Sequence, residues 1–452
     1  MGHDNENSNP EIARTSLRYG ISVLLVVALV SITLNLVTLP FAQVANEISE
    51  TYAIDDVKFS LLIGVFFAIP ITLMSVAGGW LSDRLSRRNL LMIAIVAWTV
   101  GGIWTALAPS YEQMAAARML VAAAVGIKFP LTMTWINDAF PAHQRARAIG
   151  ALFVVLNIGP ATSAAIAGMV LQGAEENVFS WLPMVPGLAP WRTGLLVLAL
   201  LAVVPLPFLA LLKDARRGQA EGPANGKTAA TRSYPIWIIG ALVVSAALLG
   251  LADTATLGWL PAVLKRQYDY SAEQVGFTFA LIVMTAGIAG PLLAGFLDDR
   301  LHKRYGLIAS LVTCGIACAL CAPLIAAFAQ PSAYILVGAL LVSGVISVMA
   351  MTVAYVAIQS LLSADTRGAG TGLAHALENL SRAAAPTIVA SVALLYTQAP
   401  GDGLGMGVAT VCVAIYLVNC VLYAGLTLNL VRRKRRTAMA GAPEPAGSSG
   451  IQ

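Results

Sequence analysis

Five ionisable residues stand inside long apolar runs of this sequence: Arg118, Lys128, Asp253, Glu378 and Arg382. A charge at the centre of a bilayer costs about 2.5–3.5 kcal/mol on insertion scales, so such residues are retained for binding, proton transfer or mutual pairing. Lys128 lies about three helical turns before Asp138, and Glu378 and Arg382 lie about three and four turns after Arg367, which places all three near mid-membrane. Asp253 and Arg118 read nearer the outer half. His375, Glu378 and Arg382 follow i, i+3, i+7 spacing and share one helical face. Glu378 and Arg382, at i and i+4, can neutralise each other. Lys128 and Arg382 are cations of the kind that hold a carboxylate or phosphate, so both are candidates for substrate binding. Proton coupling needs a carboxylate or imidazole whose pKa burial and a neighbouring charge can move. Glu378, Asp253 and His375 are the candidates, in that order. Arg118 fits a structural role equally well. The neutral residues Asn35, Asn157, Tyr355 and Gln359 can hydrogen-bond a substrate or join helices to one another.

The elements that position these residues are spans across lipid. Of 452 residues, 58% are hydrophobic and only 11% charged, against about 25% charged in soluble domains. A spanning helix needs about 20 apolar residues, and such stretches recur at 19–41, 59–81, 90–108, 112–135, 148–171 and 194–212. A second six follow at 235–264, 276–297, 306–327, 333–362, 369–396 and 406–430. The fold class is therefore an all-α membrane protein with twelve transmembrane helices in two six-helix bundles, over 19–212 and 235–431. Residues 1–18 form a polar leading segment that does not read as a cleavable signal peptide. A basic linker covers 213–234, and 432–452 is a basic then disordered tail. Gly159-Pro160 and Pro386 are expected to bend their helices, and Trp181, Trp191 and Trp259 read as interfacial anchors.

Placing both termini in the cytoplasm puts 21 of the 28 Lys and Arg residues there, and only Lys58, Arg192, Lys265 and Arg266 outside. The net charge of +5 thus faces anionic lipid headgroups rather than nucleic acid. Cys318 and Cys321 form a CxxC inside an apolar run, where small-residue packing outweighs metal or redox use. No metal or cofactor is implied, and no phosphate-cradling glycine loop suggests ATP-driven pumping.

Two loops repeat. Gly79-Trp-Leu-Ser-Asp83-Arg84-Leu-Ser-Arg87-Arg88 recurs in the second half as Gly295-Phe-Leu-Asp-Asp299-Arg300-Leu-His-Lys303-Arg304. Arg145-x-x-x-x-Gly150 recurs as Arg367-x-x-x-x-Gly372, at nearly the same offset along the chain. Duplicated halves with solute bound near the midplane are a transporter architecture. The chain resembles the major facilitator superfamily, whose signature lies between helices 2 and 3. The stretch from Arg118 through Pro130, Asp138, Phe140 and Pro141 to Arg145 and Arg147 is similar to the Spinster-like transporters and organic anion:cation symporters, as is Trp259-Leu-Pro261. It departs from them after Asn35, where no charged pair follows, and at Val125, where a Glu is favoured. The coupling chemistry of those branches is therefore not carried over.

By the resemblance, span 4 brings Lys128 and span 11 brings Arg382 to a cavity, one from each half. Asp83, Arg84, Arg87 and Arg88 with Arg367, and Asp299 with Arg145 and Arg147, form a cytoplasmic gate of carboxylates against helix N-termini. The expected function is secondary active transport of a small carboxylate-type anion by alternating access, coupled to protons, in a bacterial inner membrane and as a monomer. The rival within transport is export of lipids or amphipathic drugs. A membrane enzyme lacks a nucleophile–base spacing here, and a non-transporting sensor lacks a segment long enough for a signalling domain.

Overall fold

A computed structural model of the chain describes residues 10–82, 84–140, 142–182, 187–212, 236–361, 364–398 and 403–439. Within these, some helical side chains, including those of 10–18, 142–157 and 364–373, lie outside the description. The helices run α1 (Pro10–Thr38), α2 (Pro40–Gln43), α3 (Ala45–Tyr52), α4 (Asp56–Ile63), α5 (Val65–Ser82), α6 (Arg87–Leu107), α7 (Tyr111–Ala139) and α8 (Ala142–Glu175). They continue as α9 (Pro190–Leu201), α10 (Pro205–Leu211), α11 (Ile236–Tyr268), α12 (Ala272–Tyr305), α13 (Leu307–Ile325), α14 (Ala333–Leu361), α15 (Ala364–Ala393) and α16 (Leu404–Met439).

Lipid offers backbone N–H and C=O groups no partner, so each apolar run closes its own hydrogen bonds as a helix. Among the described residues, nine stretches are long and apolar enough to cross a membrane. The long helices outside that set are α7, α8 and α15, and α7 and α15 hold four of the five charges singled out above. Span 59–81, expected as one helix, is broken at Gly64, whose backbone leaves the helical region at φ −99° and ψ −96°. Span 194–212 divides likewise, with Pro190 and Pro205 opening α9 and α10, where the missing N–H costs nothing. Asp55 and Ser86 cap α4 and α6, accepting from the Lys58 and Asn89 amides. Ser271 and Gln274 cap α12 reciprocally, each side chain bonding the other's amide. The basic run 432–436 continues α16, which extends to Met439; residues 440–452 and the linker 213–234 lie outside the described residues.

The chain divides into two compact units. Unit 1 comprises Met1–Ile54, Val65–Ala224 and Ser271–Ala280. Its core sets Val23, Val27 and Val30 of α1 with Leu91, Ile95 and Trp98 of α6 and with Val121, Leu131 and Trp135 of α7. The α1 and α6 sets repeat at i, i+4, i+7, the stripe that lets one helix face bury against another. Trp135 Nε1 donates to the Tyr19 hydroxyl at 3.2 Å.

Unit 2 comprises Asp55–Gly64, Asn225–Tyr270 and Leu281–Gln452. Polar side chains join its helices in pairs. Ser245 donates to Asn419 Oδ1 at 2.6 Å, and the Tyr416 hydroxyl to Ser347 at 3.2 Å. Cys314, Cys318 and Cys321 are buried free thiols where α13 packs against α14 and α16. Large apolar side chains such as Leu73, Leu211, Leu292 and Val421 are exposed, as befits lipid-facing positions.

Two of the three tryptophans expected as interfacial anchors are core residues instead. Trp181 is 73% exposed, but Trp191 is 7% and Trp259 0%. Trp259 packs against Phe59 and donates its N–H to the Pro386 carbonyl at 3.1 Å, which removes any need for an aqueous interface.

Two of the basic residues set apart by the orientation reading are structural. Arg266 makes a bidentate ion pair with Asp56, at 2.7 and 2.8 Å, tying the last turn of α11 to the first turn of α4. Arg192 donates to the Ala106 and Ala108 carbonyls at 2.9 and 2.8 Å and to the Tyr52 hydroxyl at 2.9 Å, which satisfies carbonyls left free where α6 ends. Each charge-assisted bond of this kind contributes about 1.5–3 kcal/mol. Arg192→Ala is therefore expected to lower unfolding stability by about 3 kcal/mol and Tyr52→Phe by about 1 kcal/mol. Thermal unfolding of purified protein reads both; an Arg192→Ala protein as stable as wild type refutes the assignment.

Candidate functional site

In unit 2 the structure gathers four of the expected residues around one guanidinium. Arg382 on α15 donates from Nε to Glu378 Oε1 at 2.7 Å, and from Nη1 to Asp253 Oδ2 at 3.0 Å and Thr254 Oγ1 at 3.1 Å on α11. Its Nη2 faces Met351 Sδ of α14 at 3.8 Å. The Tyr355 hydroxyl, also on α14, donates to Glu378 Oε2. Glu378 is only 2% exposed, whereas the Arg382 and Asp253 side chains are 30% and 28% exposed, so it is the bonds to Glu378 that are sheltered from water and gain strength. With both acids ionised the group carries one negative charge; one proton makes it neutral.

Sequence periodicity yields the Glu378–Arg382 pair. It does not yield the link to Asp253, which lies far from Arg382 in the chain and reads from sequence as a separate candidate. Thr254 and Met351 carry no sequence signal of their own beyond the position of Thr254 next to an intramembrane acid. Arg382 is expected from sequence to hold substrate, yet its Nε and Nη1 donors are committed to the two carboxylates.

In unit 1, Lys128 on α7 is 7% exposed. Among the described residues its ammonium has no hydrogen-bond or ion-pair partner. It follows a tight crossing of α5 and α7, where Ser75 Oγ donates to the Gly126 carbonyl at 3.1 Å. A Cβ on Gly126 would lie 2.5 Å from the Ile71 carbonyl oxygen, so only glycine lets the two backbones approach. Arg118, on the same helix, is 3% exposed and lies between the rings of Phe41 and Phe67. Asn35 donates to the Ser31 carbonyl of its own helix at 2.8 Å, so one of its two amide N–H donors is in use. Side chains of Asn157, Gln359 and His375 lie outside the described residues.

Of the expected gate, Asp83 and the side chains of Arg145, Arg147, Asp299 and Arg367 also lie outside them. Arg84 stacks on Trp80 at 3.9 Å, and Arg300 on Phe296 at 4.3 Å. These are equivalent positions of the two repeats, so the duplicated loops share a side-chain contact as well as a sequence. Arg88 Nη1 reaches the Leu212 carbonyl at 3.3 Å, just beyond α10.

With this geometry stand the comparisons with known proteins. A family model described as Major Facilitator Superfamily matches residues 21–386. The chain is 24% identical over 403 residues to a 3-(3-hydroxy-phenyl)propionate transporter of Escherichia coli, covering 86% of this chain and 89% of that one. It is 21% identical over 383 residues to a cis,cis-muconate transport protein of Acinetobacter baylyi, covering 83% and 87%. Among solved structures it is similar to a bacterial homolog of the human lysosomal transporter Spinster, with TM-score 0.77 and 19% identity over 95% of this chain and 99% of that one. That likeness shows the twelve-helix transporter fold.

The charge cluster leaves no room beside it. A Cβ on Gly250 would lie 2.7 Å from Glu378 Cγ and 3.1 Å from Arg382 Nε. Gly250→Val is therefore expected to force the pair apart and cost about 1–3 kcal/mol, the usual range for overpacking. Truncation in Gly250→Val/Glu378→Ala should relieve the clash, so the two changes together cost less than the sum of the singles. Unfolding measured across this double-mutant cycle decides; strict additivity means the two positions do not press on each other.

Proposed function

We propose that this chain, which belongs to the Major Facilitator Superfamily, moves a small organic anion of the carboxylate type across the membrane in company with a proton. The observation that carries the reading is Lys128, a cation 7% exposed in a transmembrane helix with no acceptor among the described residues. A buried ammonium without a carboxylate is costly unless something else supplies the negative charge. An anionic substrate does so. Two relatives reported above are named for substrates that carry carboxylates, which supports that class.

The proton is assigned to the Asp253–Glu378–Arg382 cluster. Glu378 is the first acceptor, being the more buried acid, and Tyr355 holds it in place. Arg382 then serves less as a substrate ligand than as the charge that keeps two acids close enough to compete for one proton. Asn35, Asn157 and Gln359 are assigned to substrate contacts and His375 to proton transfer. Asp83, Arg84, Arg87, Arg88, Arg145, Arg147, Asp299 and Arg367 are assigned to the cytoplasmic gate. The surplus of basic residues in alternate loops supports both termini in the cytoplasm of a bacterial inner membrane. The transporting unit is the monomer.

Uptake of radiolabelled mono- and dicarboxylates into proteoliposomes, with and without an inward proton gradient, tests the reading. Wild type should accumulate at least one acid only when the gradient is present. Lys128→Ala should lose at least tenfold of that uptake, and Glu378→Gln should retain exchange while no longer responding to the gradient. If wild type takes up no anion, or Lys128→Ala matches it, the anion reading is wrong and export of lipids or amphipathic drugs takes its place.

A further inference from the structure

The exposed side of α16 changes character within one turn. Leu417, Val421 and Leu428 are exposed and fall at i, i+4 and i+11, on one stripe of the helix. Arg432, one turn further along that stripe, is exposed as well. Arg435 follows three positions on, where the backbone is still helical. An apolar stripe that gives way to cations has the profile of one phospholipid, read from acyl chain to phosphate. Arg433 turns instead toward α11, which packs against α16. Its guanidinium stands 6.0 Å from the ring centre of Trp237, and that ring is exposed, as is Ile236 beside it. Tryptophan prefers the depth of the headgroups, so Trp237 marks that depth where α16 turns basic. Beyond it the surface lies open: a Cβ placed on Gly240 of α11 or Gly425 of α16 meets nothing within 4 Å. All of these residues belong to unit 2.

One arginine at a helix end is satisfied by extending its head group toward water. Five consecutive basic residues, Arg432 to Arg436, exceed that need. Like charges at i, i+3 and i, i+4 repel one another, and α16 contains no acidic residue to offset them. We infer that the open surface of α16 from Gly425 to Arg433, together with Trp237 of α11, is a site for one anionic phospholipid. Arg432 and Arg433 hold its phosphate, and its acyl chain lies over Leu428 and Gly425. The guanidinium fork matches phosphate oxygens in pairs, which separates a lipid held in one place from lipid merely attracted by charge. The site stands apart from the transport reading, because none of its residues is assigned to the substrate, the proton or the gate.

Trp237 makes the site measurable. The full chain is reconstituted in phosphatidylcholine vesicles holding a rising fraction of phosphatidylglycerol with brominated acyl chains, which quench tryptophan at short range. The Trp237 signal is the difference between each protein and its Trp237→Phe counterpart, and a second series uses brominated phosphatidylcholine. An arginine near an anionic surface favours it about fivefold. Phosphatidylglycerol is therefore expected to quench Trp237 half-maximally at a mole fraction about tenfold or more below that of phosphatidylcholine. Arg432→Gln/Arg433→Gln should bring the two series together. Arg300→Gln/Arg304→Gln, which removes the same charge from the exposed end of α12, should keep the preference. Equal quenching by both lipids in wild type overturns the inference, as does a preference that survives in Arg432→Gln/Arg433→Gln. Equal loss in the α12 variant also overturns it, because the basic surface as a whole would then be attracting lipid. Relief of the quenching by inorganic phosphate at constant ionic strength overturns the lipid as occupant.

Discussion

A charge inside a bilayer has to meet an opposite charge or a dense set of dipoles, and the organisation of unit 2 follows from that requirement. Arg382 meets it by binding across three helices at once: Glu378 one turn before it on α15, Asp253 and Thr254 on α11, and Met351 on α14. Tyr355 then closes the group by holding the far oxygen of Glu378. The relative rotation of these helices is therefore constrained by donor geometry as well as by apolar packing, which in lipid has little hydrophobic drive behind it. Gly250 is part of the same constraint, because α11 can pass this close to α15 only where it carries no side chain.

Away from that cluster the same need is met with weaker partners. Ser245 with Asn419, Tyr416 with Ser347 and Trp259 with the Pro386 carbonyl each match one donor to one acceptor within unit 2. At helix ends the partner is the backbone itself. Arg192 collects carbonyls where α6 stops, and Arg88 approaches those where α10 stops. A cation at a helix C-terminus is favourable on two counts, by direct hydrogen bonding and by the helix dipole. These arginines thus hold helix ends whatever their part in membrane orientation.

The sequence carries the spans, because lipid makes length and apolarity almost sufficient to specify a helix. It carries the duplication too: the repeat that aligns Trp80-x-x-x-Arg84 with Phe296-x-x-x-Arg300 returns as the same stacked contact twice. What it does not carry is pairing over distance. Glu378 and Arg382 are legible because i and i+4 make one helical turn, whereas Asp253 reaches Arg382 through packing of α11 on α15, which has no short period. The break at Gly64 escapes for a related reason. Glycine is common in spanning helices, and nothing local separates one that ends a helix from one that lets two helices touch. Trp259 misleads because its place near a span end suits an interface, while the apolar contact that buries it comes from Phe59 on α4, a distant segment of the chain.

The two units handle charge in opposite ways, and this bears on how many protons the proposed cycle needs. In unit 2, protonating Glu378 removes one acceptor but leaves Arg382 paired with Asp253, so the cluster passes from one negative charge to none without freeing a guanidinium. A second proton would leave Arg382 itself unbalanced and restore the penalty that the cluster removes. One proton per turnover is thus the stoichiometry this arrangement favours. In unit 1, Lys128 is balanced only while an anion is present, so in the proposed cycle the empty carrier holds a lone cation in unit 1 and a net negative cluster in unit 2, whereas in the loaded carrier each site is neutral by itself. A monoanion moving with one proton adds no net charge to the protein. On that accounting net uptake is electroneutral and is driven by the proton gradient rather than by membrane voltage, because in the empty carrier the positive charge of Lys128 and the single negative charge of the cluster likewise sum to zero.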